Sequence, residues 1–343
     1  MNDQMIKTEE DLEERLSRPT AADVEAMCDL DGDLLILGAG GKMGPSLARR
    51  AKRAIEKAGI RKRVIAVARF TDPRVISQLA KSNIEALTSD LLEPGALEAL
   101  PDVPNVVFMA ARKFGTSGAE YLTWAMNTYL PGRVAERFRK SRIAAFSTGN
   151  VYPLRAVTQG GAVESDTTGP VGEYAQSALG RERLFEYGSI QWGTPVAILR
   201  LNYAAELRYG VLFDIGRAVF EGRAVNLRMG LVNVIWQGDA NSFCLQSLAK
   251  CASPARVLNI AGPETLAVRF IASRFAEIFG VSANFEGEET NMALLNNAAQ
   301  SHHLFGYPSV TVGELIQWTA NWIAIGGHGL NKPTHFEVQD GKF

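Results

Sequence analysis

The stretch LLILGAGGKMGPSLARRA, residues 34–51, constrains the fold more than any other part of the chain. Four apolar residues run straight into a turn that carries Gly38, Gly41 and Gly44, and a helical pattern begins directly after it and stops at Gly59. In such a strand-turn-helix unit the first glycine permits the tight turn, the second lets backbone approach a pyrophosphate, and the third lets the helix pack closely on the strand. The helix N-terminus adds oriented N–H groups and about half a positive charge. Lys42 places a full cation beside the expected phosphates, and Met43 completes the turn. Glycine-rich turns also arise for structural reasons alone; the flanking strand and helix favour dinucleotide binding.

A second strand, VIAVARF, ends about 25 residues after the turn, where an acidic residue would grip the ribose 2′-hydroxyl of NAD. Here the positions are Ala68 and Arg69. An arginine can stack on adenine and pair with a 2′-phosphate, so NADP is favoured, NAD remains open, and a solvated strand-end arginine is the alternative.

Apolar runs then alternate with amphipathic ones: DPRVISQLAKS as a helix, IEALTSD and NVVFMAA as strands, a long helical stretch near 118–140, IAAFST, a helix over about 171–188, and PVAILRLN. Alternation at this pitch means a parallel sheet covered on both faces. The expected class is α/β, a doubly wound parallel sheet of Rossmann type over residues 33–202. A smaller C-terminal substrate-binding lobe and tail are expected over 203–343, and an N-terminal helical arm over 1–32. In that arm Thr8 and Thr20 each precede an aspartate by three residues, Asp11 and Asp23, which marks two capped helices.

Charge narrows the partners. With 36 basic and 37 acidic residues there is no single-sign field to hold nucleic acid or an anionic membrane, so a small-molecule substrate is expected. Cys28, Cys244 and Cys251 are widely spread and read as reduced thiols, and no apolar run approaches a bilayer span, so a cytoplasmic location is expected. His302 and His303 are adjacent and lack partners at metal spacing, so no metal site is expected.

Over about residues 33–325 the chain resembles the extended short-chain dehydrogenase/reductase family, also called NAD-dependent epimerase/dehydratase. GAGGKMG is similar to the family's glycine loop, SDLLEP to its adenine-contacting turn with Asp90 and Leu91, and VVFMAA to the strand whose Ala110 and Ala111 lie beside the cofactor. The resemblance further implies a structural asparagine at Asn127, the catalytic hydroxyl at Thr148 with Ser147 beside it, and the catalytic tyrosine at Tyr174. Asn202 and Tyr203 in ILRLNYAAELRYG fall on the segment that touches substrate, and Asp239 opens the helix after it. A homodimer through the helices near 118–140 and 171–188 is implied as well. Arg112 and Lys113 after the fourth strand, and Arg208 and Tyr209 in the first crossover to the smaller lobe, are further candidates for the substrate cleft.

Two departures from the pattern matter. No Tyr-x-x-x-Lys occurs, because Ala178 stands in the lysine position, and Val232 stands where many nucleotide-sugar members keep a diphosphate-binding arginine. A phenol with an ordinary pKa near 10 needs a nearby cation to act as a base. One charge at ~6 Å and an effective dielectric of ~20 contributes roughly 2.8 kcal/mol, or about two pKa units. Three readings stay open: Arg181, two helical turns beyond Tyr174, supplies the charge; the oxidised nicotinamide supplies it; or redox turnover is lost and the chain is a non-catalytic NADP-binding regulator. The leading expectation is an NAD(P)-dependent oxidoreductase or epimerase acting on a small sugar-like or carbonyl compound not attached to a nucleotide. The polar tail, GGHGLNKPTHFEVQDGKF, is expected either to fold back over the cleft or to dock a partner subunit.

Overall fold

The computed structural model describes residues 5–113, 115–332 and 334–341. Its centre is a parallel sheet of seven strands: β1 (Leu34–Leu37), β2 (Val64–Ala68), β3 (Glu85–Thr88), β4 (Asn105–Phe108), β5 (Arg142–Thr148), β6 (Val196–Leu201) and β7 (Arg256–Ile260). Their order is β3-β2-β1-β4-β5-β6-β7, with Leu34 in register with Val64 on one side and Asn105 on the other. The winding reverses between β1 and β4, and the crevice that opens at the carboxyl ends of such strands is where ligands bind in open α/β sheets.

Side-chain alternation splits the core into two layers. Leu34 and Ile36 join one apolar cluster while Leu35 and Leu37 join the other, as a strand covered on both faces requires.

The helices follow in chain order: α1 (Glu9–Ser17), α2 (Ala21–Asp29), α3 (Gly44–Lys57), α4 (Pro73–Lys81), α5 (Glu120–Trp124), α6 (Leu130–Arg137), α7 (Gly172–Trp192), α8 (Val211–Phe220), α9 (Gln237–Ser247), α10 (Val268–Phe279), α11 (Ala299–Phe305) and α12 (Val312–Ala324). Thr8 and Thr20 form capping boxes with Asp11 and Asp23, as their spacing predicts. Between α5 and α6 the helix widens into a π turn, Ala125–Tyr129, a feature that re-aims side chains. Asn127 sits in it, fully buried.

The second half of the chain does not stay in its own lobe. Residues of α8, α10 and α12 form a separate apolar core, but α9 packs on the sheet, and β7, expected within the smaller lobe, is the sheet's edge strand beside β6. Periodicity shows that a segment is a strand; it carries no information about which sheet the strand joins. The arm at the front bridges both cores, with Leu12 and Leu16 in the core of α8, α10 and α12 and Asp23 paired to Arg50 of α3 at 2.7 Å, both buried.

The tail folds back as a strap. Leu330 N–H donates to Arg208 O at 3.0 Å, Thr334 donates from N–H and hydroxyl to Asp214 at 2.8 and 2.6 Å, and Phe336 is buried. Gly341 lies so close to Val171 and Gly172 that a side chain on it would collide with their backbone.

Candidate dinucleotide groove and catalytic cavity

The glycine turn is built as its spacing predicts. Gly38 has φ +89°, and a Cβ there would collide with the backbone of Ala110, so the turn ends hard against the end of β4. A Cβ on Gly44 would strike Ala39 O, which lets α3 approach β1. Gly41 is different: the nearest atom its Cβ would meet is Gly38 O at 3.5 Å, so the backbone there faces open space. No side chain caps the N-terminus of α3.

Two cavities flank the turn. Gly38, Gly41, Arg69, Asp90 and Leu91 line a groove over β1, β2 and β3. Ala110 and Ala111 close it from the β4 side, and Lys332 of the strap overhangs it. Arg69 is 64% exposed, with a guanidinium nitrogen 3.8 Å from Asp90 Oδ2, and Asp90 also accepts from Leu92 N–H at 3.1 Å.

The second cavity lies across the turn, at the ends of β5 and β6. Thr148, Tyr174, Asn202 and Tyr203 line it together with Lys42 and Met43. Lys113, Asn150, Tyr209 and Thr334 complete its wall. Lys42, expected beside phosphates, lines this cavity and sets Nζ 3.4 Å from the Tyr209 ring centroid. Thr148 Oγ1 accepts from Asn150 N–H at 3.2 Å. Tyr203 holds φ +44°, a conformation that costs a non-glycine residue energy and that recurs at ligand sites.

Other sequence candidates have different partners. Ser147 lines the same cavity but donates to Glu182 Oε1 at 2.5 Å. Asn127 accepts from Arg112 N–H at 2.8 Å and donates to Arg112 O and Ser177 Oγ at 2.9 and 3.0 Å, so it braces the loop after β4 against α7. The Arg112 guanidinium turns onto Gly115 O at 2.7 Å, away from the cavity. Arg208, expected in the cleft, is held elsewhere: it meets Glu206 at 3.0 Å, Glu13 at 2.7 Å and Glu9 at 3.6 Å, and so fastens the N-terminal arm. Asn202 donates to Asn233 at 2.9 Å. Asp239 accepts from the N–H groups of Ser309 and Val310 at 3.0 and 3.2 Å, which fixes α9 to the approach of α12. His302 sets a ring nitrogen 3.0 Å from Ala261 O, outside both cavities.

Ala178 is fully buried against Val151, Tyr152 and Ala162, so α7 has no cation at that position. Arg181 is 3% exposed; Nη1 donates to Phe146 O at 2.8 Å, while Nε and Nη2 have no hydrogen-bond partner among the described residues. Burial works against its charge, and the Tyr174 phenol and the Glu182 carboxylate favour it. Asn150 was not among the sequence candidates, while Thr334 and Lys332 reach the cleft because the tail folds back over it, one of the two places expected for that segment.

Neither a protein-family model nor a curated protein matches the sequence. Among solved structures, the chain is similar to a UDP-glucuronic acid 4-epimerase mutant from Bacillus cereus in complex with UDP-4-deoxy-4-fluoro-glucuronic acid and NAD, at TM-score 0.73 and 18% identity over 85% of this chain and 99% of that one. It is also similar to a dTDP-glucose 4,6-dehydratase from Bacillus anthracis in complex with NAD, at TM-score 0.72 and 16% identity over 86% and 97%. A UDP-glucose 4-epimerase from Thermotoga maritima with UDP-glucose aligns at TM-score 0.69 and 16% identity over 85% and 98%. The chain shares the fold of these structures over most of its length. Within that fold the glycine turn, β4 and β5 bring the groove and the cavity to one edge of the sheet. Among the described residues no helix is long and apolar enough to cross a membrane, and no cluster of metal-ligating side chains occurs.

Proposed function

We propose that the chain is an NADP-preferring oxidoreductase or epimerase of the short-chain dehydrogenase type, acting on a small sugar-like or carbonyl compound not attached to a nucleotide. One observation carries this reading: Tyr174 and Thr148 line a single cavity that adjoins the glycine turn. The residues present fit a dinucleotide. Gly41 leaves open space above its backbone, the α3 N-terminus lacks a side-chain cap, and Arg69 presents an exposed guanidinium suited to a 2′-phosphate.

When bound, the nicotinamide supplies a hydride acceptor or donor. The protein's own part is proton transfer and positioning. The Tyr174 phenol gives or takes a proton at the substrate oxygen, and the Thr148 hydroxyl, steadied by Asn150, orients that oxygen. The buried Arg181, whose Nε and Nη2 have no hydrogen-bond partner among the described residues, is the cation on α7 that stands for the lysine the helix lacks. Val232 supports a substrate without a diphosphate, since it is fully buried in a short strand paired with Leu266 and presents no cation.

A regulatory reading is favoured by Ala178 alone: the protein would bind NADP and respond to it without turnover. A panel of free sugars, sugar acids and lactones, read by nicotinamide absorbance with NAD and NADP side by side, separates the two. Turnover supports the enzyme; silence across the panel together with tight NADP binding by calorimetry supports the regulator.

A further inference from the structure

The tail carries a cation to the dinucleotide groove. Lys332 lines that groove together with Gly38, Gly40 and Gly41. Its neighbours in the chain are tied down on both sides: Leu330 N–H donates to Arg208 O at 3.0 Å, and Thr334 donates to Asp214 from its N–H and hydroxyl at 2.8 and 2.6 Å. Both anchors belong to α8 and the segment leading into it, so Lys332 is brought to the groove from outside the strands that build it.

The glycine turn has a use for such a charge. Its own lysine, Lys42, sets Nζ 3.4 Å from the Tyr209 ring centroid and lines the neighbouring cavity. Among the described residues that line the groove, the cations are Arg69 and Lys332, and the one carboxylate is Asp90, 3.8 Å from Arg69. The two cations serve different parts of the groove. Arg69 follows the end of β2, whereas Lys332 is near enough to the turn for its charge to act on Lys42. The turn itself offers oriented N–H groups and about half a positive charge at the uncapped start of α3, while a diphosphate brings full negative charges.

We propose that Lys332 is a ligand of the dinucleotide's diphosphate, a cation that the tail supplies to the glycine turn. The inference rests on the dinucleotide part of the reading above, not on turnover, and adds a residue to it. Lysine suits the task, because an ammonium on a flexible stem meets phosphate as a point charge. Thr334, two positions on, lines the cavity of Tyr174 and Thr148, so a diphosphate held by Lys332 also steadies that wall.

The test is titration calorimetry of the full chain with NAD and with NADP, on the natural protein, Lys332→Met and Lys332→Arg. Lys332 is exposed, so both variants are expected to fold with an unchanged melting temperature. Lys332→Met should lose about fivefold or more in affinity for the two nucleotides alike, because the diphosphate is common to them. Lys332→Arg should keep most of the affinity, and added salt should weaken the natural protein more steeply than Lys332→Met. Hydrogen exchange at tail amides, Thr334 and Val338 among them, should slow on nucleotide binding in the natural protein and slow less in Lys332→Met. Unchanged affinity in Lys332→Met overturns the proposal. So does a loss confined to NADP, which would assign the lysine to the 2′-phosphate. Failure of the catalytic reading looks different: both nucleotides bind with this dependence on Lys332, yet no substrate changes the nicotinamide absorbance. A natural protein that binds neither nucleotide sinks both.

Discussion

Arg200 on β6 and Glu182 on α7 form a buried ion pair, with Nη2 2.7 Å from Oε2 and side chains 4% and 0% exposed. The pair is the hub beneath the cavity that Tyr174 and Thr148 line. Ser147 donates to the same carboxylate, and Arg200 Nη1 donates to the Tyr152 hydroxyl at 2.6 Å, which in turn donates to Asn259 on β7 at 2.9 Å. Removing one member of such a pair leaves a charge buried without its partner. Glu182→Ala is therefore expected to cost about 3–5 kcal/mol in urea unfolding. A loss under about 1 kcal/mol, the range of exposed pairs, would show that the hub relaxes or admits water.

The glycine turn gives a paired prediction. Gly38→Ala forces a side chain into the Ala110 backbone at positive φ, so its folding stability falls. Gly41→Ala meets nothing closer than 3.5 Å and should fold normally, yet its methyl group occupies the space through which a phosphate approaches. Calorimetry should show at least about a tenfold loss of NADP affinity for Gly41→Ala with an unchanged melting temperature.

Tyr174→Phe removes the proton donor and keeps the ring. Turnover should fall about a hundredfold or more while NADP binding persists. Arg181→Met should lower kcat with KM little changed, and Arg181→Lys should restore part of it. A kcat unmoved by Arg181→Met would leave the guanidinium a purely structural role.

Arg69→Ala tests cofactor choice. Loss of the exposed guanidinium should weaken NADP by about tenfold or more and leave NAD little changed, since only the 2′-phosphate needs that charge. Equal losses for both nucleotides would assign Arg69 to adenine stacking instead.

The cofactor-free protein should also show its lysines in its stability. Lys42 titrates near 7 when folded against an ordinary 10.5, so between those values the unfolded chain binds more protons and stability rises with pH. Urea midpoints at pH 7 and 9, compared between the natural protein and Lys42→Met, should show a steeper rise in the natural protein.

Much of the sheet was legible because apolar runs and glycine turns are local signals: β1, β2, β4, β5 and β6 fall where the sequence places them. The groove residues follow from the same locality, since Gly38, Arg69, Asp90 and Ala110 all sit just past the carboxyl ends of strands that the parallel sheet aligns. Partner choice was not legible. Arg208 reaches Glu13, far upstream in the chain, and Lys42 leaves its turn toward Tyr209, because long side chains choose among distant partners that spacing cannot rank. Asn127 is buried on a π turn, which has no sequence period of its own.

The strap sets a shared condition on everything that visits the cleft. Lys332 overhangs the groove and Thr334 the cavity, and both belong to one ribbon tied at Leu330 and Asp214. Only two positions separate them, so a shift of the tail that carried Lys332 away would also disturb Thr334, and the walls of groove and cavity are coupled through one short segment.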